Sequence, residues 1–176
     1  MPLIETVVPE VAQGQIADVY RGFEEKIGLV PKPLEMTSAS PRLFDLAARR
    51  LSYFASHPSL GFPLLAYIRY LVAFRNQFPY CVDLNGGILK QALGMSDEQM
   101  AALRTDPASC LLAEKDKTML LFVLKAVETP EDVSAQDIAA LHRHGWSDSD
   151  IFDALNHGAS MVSTGIMFTA LKMGEV

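Results

Sequence analysis

The chain is poor in cysteine and poor in charge. Cys81 and Cys110 are its only two cysteines in 176 residues. Two thiols cannot staple a small secreted domain, so the expectation is a reducing, cytoplasmic setting. Charged residues make up 20% of the chain against 49% hydrophobic, and the net charge is -6. Arg49-Arg50 is the only adjacent basic pair, so no basic face for nucleic acid is expected. The opening "MPLIETVVPE" has no basic segment leading into an apolar run, and no secretion signal is read there. Strand-like alternation of useful length and internal repeats are also missing. His142 and His144 lie two apart, which turns them to different sides of a helix. No metal site is therefore expected, and no glycine loop or other motif calls for an organic cofactor.

A further absence is local. Ala154 to Leu171, "ALNHGASMVSTGIMFTAL", contains no Asp, Glu, Lys or Arg. Its polar residues are too scattered for a lipid-facing helix, so no membrane span is expected. Within it, Gly158, Ala159, Ser160, Ser163, Thr164 and Gly165 form a small-residue zone suited to close helix approach, in the core or between subunits. Low charge and this run together point to a homo-oligomer.

What remains reads as helices with short connections. An extended arm is expected first, then helices over Glu10–Ile27, Pro41–Ser56 and Pro63–Asn76, the last apolar on most sides and so central. The next begins near Pro79 and ends at Gly94. Ser96 with Gln99 has the spacing of a capping box, with Met95 and Met100 placed as a hydrophobic staple. Ala113–Glu128 follows; Ser134 with Asp137 and Ser147 with Asp150 open the last two. The expectation is an all-α domain of about seven to nine helices.

One cysteine sits where chemistry is expected. In "NQFPYCVDLNGG", Pro79 suits the first position of a helix. Phe78 is then the N-cap and Cys81 lies in the first turn. The helix dipole there favours a thiolate, whereas burial among Phe78, Tyr80 and Leu84 opposes it. Asp153 and His157 lie four apart on the last helix and can pair, with Asn156 beside them.

The order of these elements carries a resemblance. An apolar helix, a short turn, "YCVDLNGGILKQALGMSDEQMAAL" and two further helices resemble the AhpD-like and carboxymuconolactone decarboxylase superfamily. "VPEVAQGQIADVYRGFEEKIGLVPKPLEMTSASPRLF" is similar to its longer peroxidase-related branch. The resemblance covers nearly the whole chain and is strongest from Pro63 to Leu103. It implies an all-α AhpD-like helical bundle, a single domain over residues 1–176, in the class of antioxidant thiol-peroxidase oxidoreductases.

Active members of that family carry a glutamate, a C-x-x-C pair and a histidine four residues beyond it. One thiol attacks the peroxide, the other resolves the sulfenic acid, and the glutamate and histidine relay the proton. By position, Cys81 is the second cysteine. Phe78 stands for the first, Asn85 for the histidine and Ala66 for the glutamate; Tyr80 lies beside them. Two readings stay open. In one, Cys81 is the nucleophile of a one-cysteine peroxidase served by an external thiol reductant. In the other, the chain is non-redox, Cys81 is structural, and the cavity near these five residues holds a small apolar ligand. The lactone or decarboxylase chemistry of the family's other branch finds no set of polar groups in this sequence to support it.

Light scattering of the purified protein at micromolar concentration is expected to give a mass above that of one chain. A monomer would assign the uncharged run to the core of a single chain.

Overall fold

A helix with apolar residues on every side must be covered on every side. Phe62–Arg75 is such a helix, and nine of its fourteen residues are buried. In the computed structural model, which describes residues 2–174, it is the fourth of nine α-helices. These are α1 Gly14–Ile27, α2 Lys32–Thr37, α3 Pro41–Ala55, α4 Phe62–Arg75, α5 Pro79–Leu93, α6 Asp97–Thr105, α7 Glu114–Glu128, α8 Ala135–Arg143 and α9 Asp148–Ala170. Among the described residues there is no strand, and no helix is long and apolar enough to cross a membrane.

The chain divides into two compact units. The first comprises residues 1–57 with 166–176. Its core is Tyr20, Leu34 and Phe44, with Ile16, Val19 and Phe23 packed against them. Tyr20 and Phe44 meet edge to face at 5.9 Å. The extended arm is tied down by polar bonds: Tyr20 Oη donates to Val7 O at 2.8 Å, and Val7 N donates to Ser38 Oγ at 2.7 Å. Glu35 is 3% exposed. A buried carboxylate needs partners, and it has Lys32 Nζ at 2.7 Å and the Thr6 hydroxyl at 2.9 Å.

The second unit, residues 58–165, is built on α4, with α5 and α7 packed along it. The expected caps are present. Ser96 with Gln99 and Ser134 with Asp137 form reciprocal capping boxes. Ser147 and Asp150 exchange the equivalent bonds at 3.1 and 3.2 Å. Asp137 also pairs with Lys125 at 2.8 Å; these bonds lower its carboxyl pKa to about 2.

Two boundaries differ from the sequence reading. The helix expected from Glu10 is broken: a 3-10 turn spans Pro9–Val11, Ala12 and Gln13 are extended, and α1 starts at Gly14. Short α2 lies between Ile27 and Pro41, where no helix is expected from the sequence. Pro31 is the N-cap and Pro33 lies in the first turn, where a missing N–H costs nothing.

The glycines of the small-residue zone serve contacts within the chain. A Cβ on Gly158 would come within 2.5 Å of Val123 Cγ1. A Cβ on Gly165 would clash with three atoms of the Phe78 ring, which lies against the α9 backbone. On the same helix Phe152, Ile166 and Met167 are exposed.

Gly165→Ala is expected to destabilise the protein by about 1–3 kcal/mol, the usual cost of overpacking. Combined with Phe78→Ala the penalty should shrink, because the ring that the new methyl meets is gone. Urea unfolding of both single variants and the double variant gives the coupling; strict additivity would show that the ring does not set the requirement for glycine.

Candidate functional site

The turn between α4 and α5 decides where Cys81 stands. Gln77 N donates to Phe74 O at 3.2 Å and Phe78 N to Ala73 O at 3.0 Å. This pair of bonds is a Schellman motif, which puts the residue after the C-cap in the left-handed region. Glycine is usual there; this chain has Gln77 at φ 56°, at a cost of about 1–2 kcal/mol. The turn leaves Phe78 as the N-cap of α5, Pro79 first in the helix and Cys81 in the first turn, as expected.

Cys81 is 2% exposed. Of the two opposing influences on its thiol, desolvation prevails and raises its pKa. Burial raises Cys110 as well, and both cysteines are free. One turn beyond Cys81, Asn85 is 4% exposed and held from two sides. Its Nδ2 donates to the Cys81 carbonyl at 2.8 Å, and its Oδ1 accepts from Arg69 Nε at 3.0 Å. Arg69 Nη1 lies 3.4 Å from His157 Nε2. A guanidinium can only donate, so this bond needs an unprotonated Nε2.

Arg69 is the residue that the sequence reading missed. It is the only charge between Phe62 and Phe74, and a single charge in an otherwise apolar helix was the available signal. The side chain keeps some surface, yet protein atoms surround it closely enough that desolvation lowers its pKa to about 10. It remains charged at neutral pH. No Asp or Glu among the described residues pairs with it.

The structure therefore joins Cys81, Asn85 and His157 through Arg69. Ala66, 1% exposed, lies one helical turn before Arg69 on α4. Phe78 and Tyr80 are half-buried at the start of α5, and Asp153 is half-buried one turn before His157 on α9. A groove of about 380 Å³ opens beside the same turn, lined by Phe74, Gln77, Pro79, Val82, Asp83 and Arg104. It holds none of the five residues expected to line a cavity. Arg104 is fixed there by a 2.5 Å bond from its Nε to Tyr70 Oη and by the Phe74 ring, 5.3 Å away. No cluster of three His, Cys, Asp or Glu among the described residues could hold a metal ion.

No family model matches the chain, and no curated protein matches it. Several solved structures do, two of them crystal structures of peroxidase-related proteins. One is of an uncharacterized peroxidase-related protein from Silicibacter sp. TM1040. The other is of an alkylhydroperoxidase AhpD core, an uncharacterized peroxidase-related protein from Ralstonia eutropha JMP134. Each superposes with a TM-score of 0.80 over 98% of this chain and 90% of the other, at 20% identity. The chain has the AhpD-like fold. At that identity the likeness is one of architecture, and the chemistry rests on the residues that this AhpD-like chain carries.

Alkylation of Cys81, followed in a Cys110→Ala background, is expected to be slow at neutral pH. It should accelerate only above the ordinary thiol range of about 8.5, because the folded-state pKa is raised and the thiolate forms late. An apparent pKa below that range would overturn the assignment of burial as the dominant influence.

Proposed function

We propose that this AhpD-fold chain binds a small molecule near Cys81, Asn85 and Arg69 and does not carry out dithiol redox chemistry. The observation that carries this reading is Asn85, held between Arg69 and the Cys81 carbonyl. In the position where the resemblance implies a proton-carrying histidine, a carboxamide can orient a neighbour but cannot take up and release a proton near neutral pH. Phe78 in place of a thiol and the raised pKa of Cys81 support the same reading. The large exposed apolar side chains of α9, among them Ile166 and Met167, support self-association of the chain.

A second reading is favoured by the place of Cys81 in the first turn of α5 and by peroxidase-related proteins of the same fold. In it, the Cys81 thiolate attacks a hydroperoxide and becomes a sulfenic acid as the O–O bond breaks and an alcohol leaves. Two equivalents of an external thiol then return it to the thiol, releasing water and a disulfide.

Peroxide consumption in the presence of a monothiol or a dithiol reductant separates the two. The wild type and Cys81→Ser are expected to consume peroxide at the same rate. Turnover that depends on Cys81 would sink the binding reading and establish the second.

A further inference from the structure

We propose that Arg69 receives the carboxylate of a small organic acid, with Asn85 and His157 as positioning residues for its guanidinium. This rests on the binding reading and names the chemical class of the ligand.

The first argument is charge. Arg69 is cationic, lies in the apolar helix α4 and has no carboxylate partner among the described residues. Removing a guanidinium from water without a counter-ion costs several kcal/mol. Arg75, further along the same helix, does have a carboxylate partner: it meets both oxygens of Glu128 at 2.5 and 2.6 Å. Arg69 is instead held by two neutral acceptors.

The second argument is geometry. A guanidinium has five N–H bonds in one plane. Nε uses its hydrogen on Asn85 and Nη1 uses one on His157. One hydrogen on Nη1 and two on Nη2 remain. Nη2 makes no bond to a described residue, and no described side-chain nitrogen or oxygen is buried without a partner. Nη2 is therefore not sealed from solvent, although the side chain around it is closely surrounded. Nη2 keeps both of its hydrogens, and a carboxylate oxygen can accept from it in a charge-assisted bond.

The third argument is selectivity. A neutral ligand would leave the cation uncompensated. A dianion such as phosphate would bring an excess negative charge to a place with one cation, in a chain of net charge -6. A monoanionic carboxylate balances the site. Asn85 and His157 fix the plane of the guanidinium, so little order is lost when the ligand arrives.

The test follows the Arg69 Nε–H signal by ¹H–¹⁵N NMR in the full-length protein, assigned with Arg69→Gln. Acetate and benzoate are titrated, with acetamide, benzamide and inorganic phosphate alongside. A saturable shift with either carboxylate and none with the amides is expected, and benzoate affinity should fall about tenfold or more in Arg69→Gln. No saturable shift with either carboxylate overturns the proposal, as does an equal response to the amides or a response to phosphate alone. The measurement on the wild-type protein stands even if Arg69→Gln does not fold. Asn85→Ala is expected to weaken benzoate while leaving the selectivity against benzamide, as befits a positioning residue. Failure here leaves the Cys81 peroxide result untouched, whereas failure of the binding reading appears as peroxide turnover that depends on Cys81.

Discussion

Burial of the apolar middle of α4 is the constraint on which the rest of the second unit depends. Leu64, Leu65, Ile68, Leu71 and Val72 are at most 3% exposed, and each fully buried aliphatic side chain contributes about 1.5–3 kcal/mol. Enclosing such a helix leaves little room for polar groups. Those that enter must be satisfied from within. Tyr67 lies near the Leu111 amide, Tyr70 accepts from Arg104, and Arg69 reaches Asn85 and His157. The site is thus a by-product of covering α4: three helices converge on the one charged side chain in its middle.

Much of the architecture was legible because its signals are local. Ser96, Ser134 and Ser147 each announce a helix by a side chain that bonds three residues away, and Gly94 and Gly145 announce ends through a left-handed backbone. The placement of Phe78 and Cys81 follows from Pro79 by the same local logic. The failures were also local in origin. Pro31 and Pro33 begin a short helix where no helix is expected. Gln77 gave no hint that it adopts the conformation that glycine usually supplies. The contacts of the site were less legible, since Arg69, Asn85 and His157 are distant in sequence and become neighbours only when helices pack. No spacing rule connects residue 69 to residue 157.

The comparison of Cys81 with its surroundings shows how position and environment can disagree. A first-turn cysteine has the helix dipole in its favour, yet a thiol that is 2% exposed loses more from desolvation than the dipole returns. The bond network beside it runs from the Cys81 backbone carbonyl through Asn85 to the Arg69 guanidinium.

The ring of Phe78 against Gly165 makes two positions, 87 residues apart, vary as one. While an aromatic ring stands at 78, residue 165 can carry no side chain without displacing it. A chain of the same fold with a small residue at 78, a cysteine included, is released from that requirement and is free to place a methyl or a hydroxyl on the facing helix. A change between ring and thiol at 78 also leaves a vacancy beside the last helix that a single substitution does not fill.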